Sequence, residues 1–257
     1  MHNVAQHYHR KITKDTQKPA AISIMGVKVY FVFDPSHVMA TFRNTTTLSW
    51  DRFLDELMVL FGVDRLVVNG PLHRHNPDLE YLYNRINSRS VKKMTLRHFT
   101  EVLYMRQLAP DKAEELSESY FQSFLDATRR PQLHSCASAD GAIQLELRDL
   151  VDHTVSRSVA QMLFGDIIFT LDEEFTKNTV TLADQMWRIV YRYPKWLAPE
   201  FSKAYERVMG TIERFAAMEP DKTSSACFMI RTMLEAENLY DLDPRSKACL
   251  LCLMYIA

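Results

Sequence analysis

The chain closes on the stretch KACLLCLMYIA, and no charged side chain follows Lys247. A helix that is apolar on all sides belongs inside a core rather than on a surface. This one lacks the Gly or Asn that commonly closes a helix, and it has no polar last turn, although the final carbonyls of a helix need partners. Whatever fold the chain adopts must therefore wrap this element and supply donors to its end. The expectation is that the chain stops inside a core helix.

The 257-residue sequence has the means to build such a core. With 47% hydrophobic and 25% charged residues it reads as globular rather than disordered. A net charge of -1 gives no electrostatic footprint for nucleic acid. Glycine occurs only six times, and neither G-x-G-x-x-G nor G-x-x-x-x-G-K is present, which argues against phosphate-cradling loops. No stretch approaches the roughly 18 to 20 apolar residues that span a bilayer. The opening stretch MHNVAQHYHRKITKDTQK is too polar for a signal peptide or an anchor. Four cysteines (Cys136, Cys227, Cys249 and Cys252) are too few for a disulfide framework at this length, so a reducing compartment is expected.

AISIMGVKVYFVF alternates and is rich in β-branched and aromatic residues, with Gly26 at its middle. This predicts a hairpin, Ala21–Met25 with Val27–Phe33. Asp34-Pro35 then opens a helix, with Asp34 as cap and Pro35 at the first helical position, and with Val38, Met39 and Phe42 on one face. Trp50, Phe53, Leu54, Leu57 and Leu60 follow at helical spacing up to Gly62. Residues 63–89 are expected to be loop with short helices. Further helices are predicted on either side of Pro110, up to Gly165, from Leu171 to Tyr193, from Pro199 to Met218, from Ser224 to Leu239 and from Pro244 onward, with PQLHSCASADGA as a loop. The fold class is thus mainly α with a small β-hairpin near the N-terminus. The small sheet lies at about 20–34 and the helical part at 35–257, in a single domain.

No constellation of residues identifies a reaction. Cys249-x-x-Cys252 lies in an apolar run, without a second pair or a His for zinc, and reads as core. His7 and His9, like His73 and His75, are two apart and do not share a helical face, so they read as solvated. His153 reads as a structural histidine on an amphipathic helix. There is no G-x-S-x-G elbow. Trp50 reads as core. Trp187 and Trp196 bracket the aromatic-basic stretch RIVYRYPK, which is either a packed helix corner or a lid or membrane-facing edge.

The order and wording of these segments resemble the N-terminal half of the cytochrome P-450 family, the haem-thiolate monooxygenases. AISIMGVKVYFVFDPSHVMATFRN resembles that family's first hairpin and the helix after it, with Gly26 spaced from Asp34-Pro35 as in the family and Thr47-Leu48-Ser49-Trp50 following. LRHFTEVLYMRQLAP sits where the family's C helix does. VDHTVSRSVAQMLFGD ends in A-x-x-L-F-G, RYPKWLAPEF resembles the F–G lid, and DPRSKACLLCLMYIA resembles the opening of the central I helix. The flavour is that of fungal members related to the sterol-hydroxylase and prostacyclin-synthase branch.

The resemblance covers about half of the family's fold, which would make residues 1–257 a single incomplete domain truncated at both ends, and implies haem as cofactor, a lipophilic small-molecule substrate, a reductase partner and endoplasmic-reticulum association for the complete enzyme. Its diagnostic motifs, E-x-x-R and F-x-x-G-x-x-x-C-x-G, are absent here, so no cysteine is a candidate haem ligand, and the chain alone is expected to hold no haem and to be inactive. The family's W-x-x-x-R pair is missing as well: Trp50, Trp187 and Trp196 are followed four residues on by Leu54, Tyr191 and Glu200. On the matching C helix the resemblance leaves Arg97 and His98 as candidate haem-propionate contacts, and a guanidinium suits a carboxylate best. The alternative from a different class is a non-enzymatic helical interaction module that docks a partner on an exposed C-terminal apolar surface.

Overall fold

Two short strands and a succession of helices follow one another along the chain. The computed structural model describes residues 19–24, 27–32, 34–44, 47, 51–86, 94–129 and 146–256. Strands β1 (Ala20–Ile24) and β2 (Val27–Phe31) pair antiparallel, with Ala20 opposite Phe31 and Ile24 opposite Val27. The turn at Gly26 lies outside the described residues, as do Leu48, Ser49, Trp50, the 131–142 loop with Cys136, and the stretch carrying His7 and His9. The helices that follow are α1 (Pro35–Arg43), α2 (Asp51–Leu60), α3 (Arg65–Asn69), α4 (Glu80–Arg85), α5 (Leu96–Gln107), α6 (Pro110–Thr128), α7 (Leu147–Val151) and α8 (Arg157–Phe164). After them come α9 (Ile167–Leu171), α10 (Phe175–Asp184), α11 (Trp187–Val190), α12 (Pro199–Ala216), α13 (Phe228–Asn238) and α14 (Pro244–Ile256).

Local chemistry explains where these elements begin and bend. Asp34 caps α1 by accepting from the backbone N–H groups of Ser36 and His37, and Pro35 stands at its start. Asp64 and Asn76 cap α3 and the short turn before α4 in the same way. Between α7 and α8 the helix widens into a π-helical stretch, Asp152–Ser156. There the Thr154 hydroxyl donates to the Leu150 carbonyl at 2.5 Å and the Ser158 hydroxyl to that of Thr154 at 2.6 Å, drawing carbonyls out of the regular ladder.

The single helix predicted from Leu171 to Tyr193 is instead three pieces. Asp172 breaks it by accepting from Glu174 N at 3.0 Å and by receiving the guanidinium of Arg207 at 2.6 and 2.9 Å. The Asp172 side chain is only 2% exposed, so this pair ties the turn to α12. None of the residues of α1 is buried; Met39 is 49% and Phe42 70% exposed. Phe53 and Leu54 of α2 are likewise exposed, whereas Leu57 packs against the core.

The C-terminal helix α14 is seated in the core. Ala248, Cys249, Leu251 and Cys252 are fully buried, and Leu250 and Met254 nearly so. α12 lies along it, and Phe164 and Phe175 meet the Tyr255 ring at 5.7 and 5.9 Å. Each buried Leu or Met contributes about 2 kcal/mol. The expected exposed apolar surface at the C-terminus is therefore corrected: the chain covers this helix with its own residues.

The polar ends of α14 are matched as well. At its far end the Tyr104 hydroxyl donates to the Met254 carbonyl at 3.1 Å, meeting a carbonyl that no Gly or Asn cap serves. At its near end, α2 terminates on Gly62 with φ at 101°, and the N–H groups of Gly62 and Val63 return to the Val59 and Met58 carbonyls. That turn leaves the Phe61 carbonyl pointing away from its own helix. It accepts from the Tyr205 hydroxyl of α12 and from the Cys249 thiol of α14 at 3.0 Å. Asp64 N donates to the buried Ser246 hydroxyl at 3.2 Å, and Arg245 clasps Glu206 and Glu213 of α12 at 2.7 and 2.9 Å.

A Cβ at position 62 would lie 2.8 Å from the Tyr205 oxygen and would sit on left-handed backbone. Gly62→Ala is expected to cost about 1–3 kcal/mol, measured by chemical denaturation. Gly210→Ala, where a Cβ meets nothing, serves as the neutral control.

Candidate functional site

Helix α5 opens at Thr95, whose hydroxyl accepts from His98 N at 3.3 Å, and this places Arg97 and His98 in its first turn. The α2 helix runs past this turn, with Asp51 and Asp55 four residues apart and so on one face. Arg97 reaches both: its guanidinium donates to Asp51 Oδ1 at 2.6 Å and to Asp55 Oδ1 at 2.9 Å. Glu101 stands 3.9 Å from Arg97 Nε, and His73 Nε2 lies 3.3 Å from the same Asp55 oxygen. The Arg97 side chain is 11% exposed, so the network holds a nearly buried cation among carboxylates.

His98 points elsewhere. Its Nδ1 is 3.5 Å from Glu101 Oε2, its ring stacks on Tyr83 with centroids 6.3 Å apart, and its Nε2 is buried without a hydrogen-bond partner. The two residues named for propionate contact thus share a helical turn but serve different neighbours. His73 and His75 are both exposed, in line with their reading as solvated, and His73 additionally lies beside Asp55. The His153 side chain lies outside the described residues.

The arrangement binds charge internally. Three carboxylates surround one guanidinium, and the forked geometry suited to a propionate is already occupied by Asp51 and Asp55. An incoming anion has to displace them. The carboxylate pair on α2 is visible in the sequence, but its partner lies more than forty residues away, and no local pattern links the two.

Burial pushes the Cys249 thiol up to about 11 and raises Cys252 and Cys227 as well, so at neutral pH none of the three is a thiolate. The reading of Cys249-x-x-Cys252 as core agrees with their burial. Among the described residues no group of three His, Cys, Asp or Glu side chains gathers to hold a metal. A surface groove of about 530 Å³ is lined by Pro77, Asp78, Glu80, Tyr81, Asn84 and Leu239, and neither Arg97 nor His98 faces it.

At the aromatic-basic stretch, Trp187 packs edge-on to Tyr193 at 5.8 Å, and the Arg188 guanidinium lies 5.3 and 5.2 Å from their ring centres. Trp196 is 78% exposed. The first tryptophan is a packed corner and the second is free of it. No helix of the described residues is long and apolar enough to cross a membrane.

No protein-family model matches the chain, and no curated protein matches it.

Arg97→Ala removes the guanidinium that Asp51 and Asp55 share and is expected to cost about 2 kcal/mol. Arg97→Lys should recover only part of the loss, because an ammonium cannot serve two carboxylates in a fork. Denaturant titration of the two variants beside the parent chain checks both expectations.

Proposed function

We propose that this chain is the N-terminal portion of a cytochrome P-450-like haem-thiolate monooxygenase, whose complete form inserts one oxygen atom into a lipophilic substrate. The observation that carries this reading is the succession of elements that ends on α14. A paired hairpin, an Asp-Pro-capped helix, a helix ending at Gly165 and a helix pair joined through Tyr193-Pro194-Lys195 precede an all-round apolar helix set among the others. That is the order which the resemblance leads one to look for. In the complete enzyme a reductase supplies electrons, and association with the endoplasmic reticulum follows from the same resemblance.

The residues present do not fit haem. Arg97 spends its donors on Asp51 and Asp55, and the Cys249 and Cys252 thiols are buried and protonated. On this reading the oxygen chemistry belongs to the complete enzyme, and the chain by itself binds no haem.

Sequencing the native transcript past the codon for Ala257 tests the family reading. The expected result is an open frame running through E-x-x-R and a Cys-ligand loop; a frame that continues without either overturns it. Titrating the purified chain with haemin should give no stoichiometric complex and no thiolate-type spectrum under carbon monoxide. A saturable complex with that spectrum contradicts the assignment of Arg97 and the cysteines.

A second reading, a helical interaction module, draws support from the self-covered α14, because a helix already buried leaves the body able to fold without a second half. It predicts a monodisperse protein with one cooperative melt, and an aggregating, poorly cooperative chain would overturn it.

A further inference from the structure

Glu237 stands apart from every other carboxylate described above. It lies near the end of α13, its side chain is fully buried, and neither carboxyl oxygen has a hydrogen-bond partner. α13 packs on α5, α14 and α8, so the carboxyl sits inside the helix cluster that holds the C-terminal element. A carboxylate without donors is among the most costly groups to bury, whereas the neutral acid costs far less.

Arg231 of α13 and Asp241 of the connecting turn are exposed, and the other charges named here are engaged elsewhere. On α5, Arg97 is held by Asp51 and Asp55, His98 and Glu101 face each other, and Arg106 is paired with Asp111. On α8, Arg157 lies over the Phe169 ring at 3.7 Å. On α13 itself, Glu235 is paired with Arg85. In the connecting turn, Tyr240 donates to the Arg74 carbonyl at 3.3 Å and Asp243 accepts from Ser246 N at 2.9 Å. On α14, Arg245 is held by Glu206 and Glu213, and Lys247 donates to Asn238 Oδ1 at 2.7 Å. Lys247 is the charge whose field reaches Glu237, and it does so without touching it.

We infer that Glu237 is a proton-operated latch of this helix cluster: protonated, it lets α13 pack against α5, α14 and α8, and as a carboxylate it loosens that packing and uncovers apolar surface. Burial holds its proton well above the usual carboxylate range, and Lys247 opposes this in part. A group whose folded value is raised adds stability that is fully present in acid and lost as pH climbs from the unfolded carboxylate value through the folded one. The docked state therefore weakens toward alkaline pH. The latch follows from the packing alone and does not rest on the family reading.

The test uses the full chain between about pH 5 and pH 9, with uptake of an apolar dye and the denaturation midpoint as readouts. With one proton linked to unfolding, the parent's unfolding constant rises by up to about tenfold per pH unit within the linked range. Glu237→Gln should abolish that slope and the alkaline dye uptake, and should unfold at higher denaturant than the parent at pH 8. Glu237→Met provides the same comparison with an apolar side chain. Lys247→Gln removes the one charge that favours ionisation, so dye uptake should move to higher pH. A Glu237→Gln protein with the parent's pH profile overturns the latch, and so does a Lys247→Gln protein whose transition stays in place or moves to lower pH.

Discussion

The body of this protein is organised around one carbonyl. Phe61 ends α2, and its oxygen is one of the helix-terminal acceptors that a regular helix cannot satisfy internally. The left-handed Gly62 turns the chain away, and Tyr205 and Cys249 bring donors to that oxygen from two other helices. An acceptor buried this deeply is costly to leave unmet, so the three helices are held in one register. Arg245 adds a charged clasp on the same side, with its guanidinium 5.1 Å over the Tyr205 ring. The rest of the α14 environment follows: once its first turns are fixed at residues 61–64, its apolar faces lie among Phe164, Phe175 and α12, and its last turn reaches Tyr104.

The sequence alone made the helical character, the hairpin and the caps legible, because each depends on neighbours within a few residues. Asp34 before Pro35, Gly62 after Leu60 and Gly165 after Phe164 punctuate the chain where the structure also stops its helices. The interruption at Asp172 was not legible, since it depends on Arg207, thirty-five positions away, to hold a carboxylate in a turn. The burial of α14 was half legible. Its composition demanded a covering, but the residues that supply one, Tyr104, Tyr205 and Phe175 among them, are scattered along the chain and carry no common pattern. The exposure of Met39 and Phe42 on α1 was not legible either, because helical spacing marks an apolar stripe and says nothing of what meets it.

The candidate site shows the same division. Resemblance directed attention to the first turn of α5, and Arg97 there is indeed a nearly buried cation with carboxylate partners. Those partners come from the chain itself, through an α2 pair whose spacing was visible but whose target was not. His98, its neighbour, turns to Tyr83 and Glu101 because successive residues on a helix point about 100° apart. The site thus reads most directly as a device for docking α2 on α5.

Native-state hydrogen exchange of residues 244–256 tests the central claim most directly, because exchange reports the opening free energy of each helix. If α14 is anchored through the Phe61 carbonyl, its amides should exchange as slowly as those of α12, and Tyr205→Phe together with Cys249→Ala should speed both helices together. If the amides of α14 exchange like a frayed terminus while α12 stays protected, the helix is not part of the core and the account fails.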